Sequence, residues 1–457
     1  MRKISTLLIC FWALTTVGQS QSLTMEQAID YALQHNADVQ NATLAVEGSK
    51  QEVKSVISTG LPQLTANGNF THNVQIASQQ LPDFISPAVY GVLIREGLLP
   101  DDRFSVGQPQ TLAFGAPSSL TAMANLNQLL FDGTFFLGLK AAKQYVKMSE
   151  LMEESTEITT IDNVKKSFYA ALITGQNSDL LQESLQNLEN TLRETRSLYE
   201  AGYAEKLDVD RLEFAKYNLE TQINNIALQK QILMNMLKLT IGMDVKQPIT
   251  LVGDLNETTS VNVDSYSIDS RIETKIMQQK LVLDSLNIKR YQVGYYPSIR
   301  LNASYQQNSF SESAEFKGLG KNWNPGTMYG VNVSIPIFDG FYKKAKISQA
   351  RVDFAKDKNT YNHTRNQLTF QIEQAKMNVT IKTRNLENQK KNKALAKSIY
   401  ETSKLKFDEG VGSSFELIQA QTDQTQAEIA YSNALYELIV AQINLQTALG
   451  NSQPITK

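Results

Sequence analysis

Cysteine and histidine are nearly absent from this chain, and their scarcity limits its chemistry. Its 457 residues include one cysteine, Cys10, and three histidines, none of which shows the spacing of metal ligands. A thiolate metal cage, an iron–sulfur cluster and a disulfide within the chain are therefore excluded. The sequence also lacks a glycine-rich phosphate loop and a nucleophile elbow. We expect no metal, no cofactor, no catalytic residue and no enzymatic activity.

Proline and glycine are scarce as well, with 11 and 23 residues, which argues against a chain built mostly of short strands and turns. Proline is absent from residues 118–247 and 337–453. Within these windows, residues 134–200 and 341–409 are each predicted to form a single helix on the order of 100 Å long. Helices of that length indicate a coiled coil or an elongated bundle.

Neither sign of charge dominates, since 44 Lys and Arg residues and 46 Asp and Glu residues leave a net charge of -2. This near-balance gives no electrostatic reason to expect nucleic acid as a partner. Long apolar runs are missing after residue 22, where no stretch of about 18 apolar residues occurs. The mature chain is therefore not predicted to enter a membrane as transmembrane helices.

The amino-terminal residues have the layout of a secretory signal peptide. Arg2 and Lys3 precede a short apolar run at residues 4–17, and small and polar residues follow at 18–22. A membrane anchor is the alternative, but the apolar run is short for a bilayer-spanning helix. We therefore predict an exported protein.

The chain contains an internal duplication. The Phe-Asp-Gly of residues 131–133 recurs at 338–340, and the turn sequence at 199–202 recurs at 407–410, both after about 208 residues. The first half carries about 28 additional residues, which are predicted to fall in residues 74–117. That stretch contains several prolines and is expected to be a long irregular loop.

Four segments alternate apolar and polar residues and are predicted to be strands, near residues 62–72, 119–131, 297–310 and 326–338. Each is roughly long enough to cross a bilayer as a tilted strand, and its polar positions are mostly small and uncharged. A soluble antiparallel sheet with one wet face is the alternative. Four strands cannot close a barrel, and open edges are not tolerated in lipid. A membrane-spanning sheet therefore requires several chains, and three chains would supply twelve strands.

Seven-residue repeats mark the expected helix seams and predict left-handed supercoiling. In the last helix they are formed by Ala420, Ala427, Ala434, Ala441 and Ala448, with Leu438 and Leu445 at the same interval. In the corresponding helix of the first half they are formed by Leu212, Leu219, Ile226 and Leu233.

These features together resemble the TolC family of outer-membrane efflux proteins. The resemblance is carried by the opening helix sequence at residues 23–36, by Leu-Pro-Gln-Leu at 61–64, by Tyr-Pro-Ser-Ile at 296–299, by Pro-Ile-Phe-Asp-Gly at 336–340 and by Thr-Ala-Leu-Gly at 447–450. It covers nearly the whole mature chain, and its specificity lies in the duplicated order of the motifs.

The resemblance implies a mainly α fold with a β-barrel portion. Each chain would contribute helices to a long coiled-coil α-barrel and four transmembrane strands to a homotrimeric, twelve-stranded outer-membrane barrel. The implied organisation is a signal peptide at 1–21, a first structural repeat at 22–242, an equatorial linker at 243–267, a second structural repeat at 268–450 and a tail at 451–457.

The function implied by the resemblance is that of a passive duct in a tripartite efflux or type I secretion system, located in the outer membrane and extending into the periplasm. Its implied partners are two further copies of the chain, outer-membrane lipid, a periplasmic adaptor of the membrane fusion protein class and an inner-membrane pump. Nucleic acid is not among them.

In this architecture the turns near residues 199–208 and 407–416 lie at the periplasmic tip. Acidic side chains from three chains meeting there repel one another and raise one another's proton affinity. By similarity the predicted gate consists of Asp208 and its counterpart Glu416, with Gln419 one turn later and Arg211 as a candidate salt-bridge partner. The turns expected to contact the adaptor contain Gly202, Tyr203, Ala204, Gly410, Val411 and Ser413.

Several of these residues also have a local structural interpretation. Ser413 and Glu416 have the spacing of a helix capping box, and Asp208 near a helix start suits the helix dipole. Gly202 and Gly410 are expected to end the long helices in the left-handed conformation.

Two other classes of protein compete with the duct. A trimeric, outer-membrane-anchored coiled-coil surface fibre or adhesin would also combine coiled coils with a shared barrel. The duplicated order of helices and strands opposes it, because such an anchor sits at one terminus. A secreted hydrolase is disfavoured by the absence of a catalytic triad or metal cluster.

Overall fold

A computed structural model describes residues 21–83, 85–101, 108–113, 115–253, 255, 266–311 and 322–451. The predicted signal peptide, except for residue 21, lies outside the described residues, as does the predicted tail except for residue 451. Eleven residues of the predicted linker, 254 and 256–265, also lie outside them.

The described helices are α1 (Met25–His35), α2 (Ala37–Ser58), α3 (Ile85–Arg95), α4 (Gly133–Glu200), α5 (Lys206–Ile241), α6 (Ile272–Val293), α7 (Tyr342–Asp408) and α8 (Ser414–Leu449), with a short 3-10 helix at Ile268–Ser270. The described strands are β1 (Gln21–Leu23), β2 (Gln63–His72), β3 (Ser78–Leu81), β4 (Gln110–Ala113), β5 (Ser118–Phe131), β6 (Ile249–Leu251), β7 (Ser298–Ser311) and β8 (Asn324–Ser334). The predicted mainly α class with four long strands is confirmed.

The two very long helices are present as predicted. α4 has 68 residues and α7 has 67, so each is about 100 Å long. α4 starts at the glycine of its Phe-Asp-Gly motif and α7 starts two residues after the glycine of its own, and in each case the aspartate of the motif binds a backbone N–H group of the helix. The N–H of Thr134 donates to Asp132 Oδ1 at 2.7 Å, and the N–H of Lys343 donates to Asp339 Oδ2 at 3.1 Å. The motif therefore acts as a helix start in both halves of the duplication.

The predicted seven-residue seam of α8 faces the protein interior. Four of its five alanines and both leucines are buried, and Ala427 is half-buried. In α5, Leu212 is fully buried, whereas the later members of its stripe are half-buried. Alanine at these positions lets the helices approach closely while contributing little apolar area.

The chain divides into two compact units, each drawn from both halves of the duplication. The first comprises the described residues of Met1–Gln51, Lys143–Ser285 and Ala350–Lys457, and the second comprises those of Glu52–Ala142 and Leu286–Gln349. The duplicated halves are therefore not the compact units of the chain. The predicted repeat boundaries themselves stay a prediction.

The core of the first unit forms where α1 packs against α4 and α5. Phe168 of α4 is almost completely buried in a cluster with Ala28 of α1 and Leu237 and Ile241 of α5. The short parallel strands β1 and β6 pair with Leu23 opposite Leu251, and they contribute Leu23 and Ile249 to this cluster. The contacts between α1 and α5 and between β1 and β6 join segments more than 200 residues apart, so their loss is expected to destabilise the whole unit.

Four helices of the first unit end at a glycine in the left-handed conformation, with φ of 82° at Gly202, 78° at Gly242, 73° at Gly410 and 78° at Gly450. The predicted helix ends at Gly202 and Gly410 are confirmed. The four positions differ in surroundings. A Cβ at Gly202 would meet nothing within 4 Å, whereas one at Gly242 would overlap the His35 carbonyl and lie 2.9 Å from Asn36 N.

Replacing Gly242 by alanine is expected to destabilise the protein much more than replacing Gly202 by alanine. The left-handed conformation costs alanine about 1 kcal/mol at either position. At Gly242 the displaced backbone of α1 should raise the total to about 3 kcal/mol or more. Thermal unfolding followed by circular dichroism measures the difference, and equal melting temperatures for the two variants would contradict the packing described here.

A pair of carboxylates links α6 and α7 in the first unit. Lys280 Nζ lies 2.7 Å from Asp357 Oδ1, and this hydrogen bond holds the pKa of Asp357 below its usual range. Burial, followed by the hydrogen bond and charge of Asp357, raises the pKa of the neighbouring Asp284 to about 6. Asp353, also on α7, raises it further. Asp284 is therefore the acid of the pair that keeps its proton to the higher pH.

Replacing Asp284 by asparagine is expected to raise the melting temperature at pH 7.5 and to leave it nearly unchanged at about pH 4. The folded protein binds more protons at Asp284 than the unfolded chain does between about pH 4 and pH 6, so stability falls as pH rises through this window. Asparagine cannot ionise, so the variant does not lose this stability as the pH rises. Thermal unfolding at both pH values tests this, and an equal shift at both values would contradict it.

The second unit contains an antiparallel sheet in the order β2-β5-β7-β8. Its pairings bring residues of like polarity into rows. One row consists of Leu64, Leu126, Ala303 and Tyr329, and the adjacent row consists of Gln63, Asn127, Asn302 and Gly330. The predicted alternation therefore gives rows of apolar residues and rows of polar residues that follow one another along the strands. β8 ends at Ser334 instead of the predicted residue 338, because Pro336 has no N–H group to donate to a ladder.

The outer strands of this sheet are open. In the part of the chain that the structure describes, β2 and β8 each have a strand neighbour on one side only. Their apolar side chains are also uncovered, with Leu64 73% exposed and Tyr329 83% exposed. None of the described helices is both long enough and apolar enough to cross a membrane.

The prediction of an irregular loop at residues 74–117 is wrong in part. The segment does connect β2 to β5, but it contains helix α3 and a strand pair in which β3 and β4 run antiparallel. Pro87 is the third residue of α3, where proline is tolerated because the first-turn N–H groups have no helical acceptor. The prolines of this segment therefore do not prevent regular structure.

Candidate functional site

The candidate site is formed by two turns of the first unit, each of which connects two helices, and we call them the tip turns. The first, residues 201–205, joins α4 to α5, and the second, residues 409–413, joins α7 to α8. Each closes with the same backbone bond after its helix, from Tyr203 N to Leu198 O at 2.8 Å and from Val411 N to Lys406 O at 3.0 Å. The duplication therefore extends to the hydrogen bonds of the turns.

A side-chain hydrogen bond connects the beginnings of α5 and α8. The hydroxyl of Ser414, which is 1% exposed, donates to Oδ1 of Asp208. Asp208 lies in the first turn of α5 and is half-buried, so its carboxylate also faces the positive end of that helix. The predicted gate residue Asp208 is therefore engaged within its own chain.

Its counterpart Glu416 lies in the first turn of α8 and is exposed. The side chain of Ser413 caps this helix by accepting a hydrogen bond from Glu416 N at 3.2 Å. This is the serine half of the predicted capping box. The carboxylate of Glu416 remains exposed on the surface of the chain.

The other two predicted gate residues bind their own neighbours. Gln419 Nε2 donates to Asp423 Oδ1 at 2.8 Å on the next turn of α8. The guanidinium of Arg211 lies over the ring of Phe415, 5.8 Å from its centre. No ion pair within the described residues includes Arg211, so its pairing with an acid remains a prediction for contacts between chains.

The residues predicted to contact an adaptor project from the turns. Tyr203 is 83% exposed and Val411 is 80% exposed. Gly202, Gly410 and Ser413 are exposed and Ala204 is half-buried. Two large apolar side chains at the apex of adjacent turns are unusual on a wet surface and are typical of an interaction site.

An apolar groove begins at the tip turns and was not predicted. It has a volume of about 840 Å³ and is lined by residues of α5 and α8 together with Ser184 and Leu188 of α4. Its apolar lining includes Leu207, Phe214, Phe415, Ile418 and Ile429. A second seven-residue stripe on α5, formed by Leu207, Phe214, Thr221 and Leu228, is the sequence signal that could have revealed it.

The described residues contain no group of three or more His, Cys, Asp and Glu side chains placed to hold a metal ion. The site is thus made of a hydrogen bond between two turns, a set of exposed side chains and an apolar groove. An open groove with apolar walls is a shape that accepts the apolar face of an amphipathic helix.

Comparison with known proteins identifies the family. Residues 28–243 and 278–451 match the outer membrane efflux protein family, which is most of the chain. The chain is similar to the outer membrane protein TolC of Vibrio cholerae, at 20% identity over 374 residues that cover 78% of this chain and 83% of that protein.

Solved structures share the fold. The open-state MtrE outer membrane channel of Neisseria gonorrhoeae superposes with a TM-score of 0.70 at 18% identity and covers 94% of this chain and 89% of its own. The CmeC outer membrane channel of Campylobacter jejuni gives a TM-score of 0.70 at 16% identity, with coverage of 95% and 87%.

The chain therefore belongs to the outer membrane efflux protein family, and it is an outer-membrane channel for efflux. The predicted family, function and outer-membrane location are confirmed, and the matches favour the channel over the surface fibre.

Proposed function

We propose that three copies of this chain assemble into one passive duct across the outer membrane and periplasm. Each copy contributes β2, β5, β7 and β8 to a twelve-stranded barrel and its long helices to an α-barrel. The observation that carries the proposal is the pair of open edges at β2 and β8 beside uncovered apolar side chains. Lipid removes exposed apolar area from water, and joining β2 of one copy to β8 of the next satisfies both edges.

The duct has no catalytic activity of its own in this proposal. An inner-membrane pump supplies the energy, and a periplasmic adaptor connects the pump to the tip turns. The apolar groove between α5 and α8 receives a helix of the adaptor, because it is open to solvent and most of its lining surface is apolar. Tyr203 and Val411 contact the adaptor at the mouth of the groove.

The tip turns also form the gate in this proposal. The Asp208–Ser414 bond holds the beginnings of α5 and α8 together in the narrow state. In the trimer, exposed acids such as Glu416 bring like charges close to the axis and resist complete closure. The balance between the bond and this repulsion sets how readily the tip widens.

Deleting the gene in its native host is expected to raise intracellular accumulation of fluorescent dyes or antibiotics that the system exports. Restoring the intact chain should return accumulation to the wild-type level. A surface fibre would leave accumulation unchanged and would instead change adhesion. Unchanged accumulation across a broad compound panel, with the protein present in the outer membrane, would contradict the proposal.

A further inference from the structure

The helix α3 in the connection between β2 and β5 has two apolar sides. Tyr90, Leu93 and Ile94 are half-buried on one side. Ile85, Val89 and Val92 are at least half exposed on the other, spaced four and three residues apart so that they form one stripe. An uncovered apolar stripe of this kind marks a surface that a partner or lipid covers.

The surroundings of the stripe suit another helix of the same kind. Ala88 and Gly91 lie beside it and are exposed, and a Cβ at Gly91 would meet nothing within 4 Å, so a second backbone can approach closely. Residues 85–94 contain no charged side chain. Copies of α3 can therefore pack on one another without like-charge repulsion. A strongly charged partner could form no ion pair along the stripe.

The position of α3 in the fold connects it to the boundary between copies. β2 is an outer strand of the sheet, and α3 belongs to the connection that leaves it. This connection lies at the end of the β2–β5 hairpin opposite to the one that joins α2 and α4. In the proposed trimer it therefore starts at a subunit boundary on the outer side of the membrane.

The distances allow α3 helices to meet at the axis. Twelve strands about 4.8 Å apart and tilted by about 40° enclose a barrel of radius about 12 Å. The residues between β2 and α3 can extend for up to about 40 Å. The connection is thus long enough to bring α3 from the rim of the barrel to its centre.

We propose that the exposed stripe of α3 docks on α3 of the other two copies, so that three helices form a cap at the outer mouth of the channel. The inference rests on the proposed trimer. The occupant is a second and third copy of this chain, and the contact buries the side chains of Ile85, Val89 and Val92. The cap narrows the outer end of the duct, separately from the gate at the tip turns.

Disulfide formation at α3 tests the cap. Cys10 is the only cysteine, so the variants Val89→Cys and Val92→Cys are made together with Cys10→Ala, and the introduced thiol is then unique. Mild oxidation of the trimer in outer-membrane vesicles is expected to link two of every three chains at either position. Gln79→Cys, on the exposed part of β3, is the control and should give no linked dimer.

Three results would overturn the cap. A trimer in which Val89→Cys reacts fully with a water-soluble maleimide and forms no dimer has a free α3. In the second result, the thiol forms no dimer and does not react with maleimide, and brominated lipid quenches a fluorophore placed beside it. This result would place α3 in the membrane. Both results leave the proposed trimer intact. Monomers on native mass measurement would overturn the cap and the proposed trimer together.

Discussion

Replacing Phe214 by aspartate is expected to abolish efflux while leaving the trimer intact. Phe214 lines the groove between α5 and α8 and is 69% exposed, so folding of the chain does not depend on it. An adaptor helix seated in the groove would lose the apolar surface of this ring and would bury a carboxylate beside Leu207 and Ile418, where the only cation among the described lining residues, Arg211, already lies over Phe415. The cost of about 3 kcal/mol corresponds to a loss of adaptor affinity of about a hundredfold.

The matched control is Tyr217→Asp, on the same helix. Tyr217 is 62% exposed and does not line the groove, so its replacement places the same charge outside the docking surface. Adaptor binding is measured with purified trimers immobilised in nanodiscs, and efflux with a dye-accumulation assay. Wild-type binding and efflux for Phe214→Asp, or an equal loss in both variants, would contradict docking in the groove.

Removing the bond between the tip turns is expected to open the channel. Ser414→Ala leaves Asp208 without its buried hydroxyl donor, and Asp208→Ala leaves Ser414 without its acceptor. A hydrogen bond to a charged group contributes about 1.5–3 kcal/mol, so its loss shifts the balance between the narrow and wide tip by roughly tenfold or more. Single-channel conductance in planar bilayers should rise in both variants, and cells should become sensitive to large antibiotics.

Glu205→Ala is the control for the gate. Glu205 lies in the same turn, is exposed and makes no side-chain cap bond, so its removal changes the local charge in the same direction without breaking the bond to Ser414. Less repulsion between acids at the axis would by itself favour the narrow tip, so Glu205→Ala is expected to leave conductance unchanged or lower it. If Glu205→Ala raised conductance as much as Asp208→Ala, loss of the bond to Ser414 would not be the cause. Unchanged conductance in Ser414→Ala would contradict a gate held by this bond.

The elements that sequence could predict are those determined by local rules. The absence of proline after Pro117 and Pro336 predicted α4 and α7, and left-handed glycines ended both helices where expected. Alternation of apolar and polar residues predicted the four long strands. The pairing of these strands was not predicted, and the structure pairs them so that apolar residues share rows.

The location of the site could be predicted from the sequence, but the contacts between its residues could not. Similarity placed Asp208 and Glu416 at the tip, but the partner of Asp208 is Ser414, which is 206 residues away and becomes its neighbour only when the two turns pack together. The groove likewise needs α5 and α8 side by side. The helix α3 was missed because Pro87 and Gly91 lower its helix propensity, and first-turn geometry and apolar packing override that preference.

The central claim is that three chains share one barrel and one helical duct. Imaging the detergent-solubilised protein from outer membranes, by negative stain and then by cryo-electron microscopy, tests it most directly. The account predicts elongated particles with threefold end views, a detergent-covered end that contains twelve strands and a tapered opposite end at the tip turns. Compact monomeric particles, with β2 and β8 unpaired to any neighbour, would contradict it.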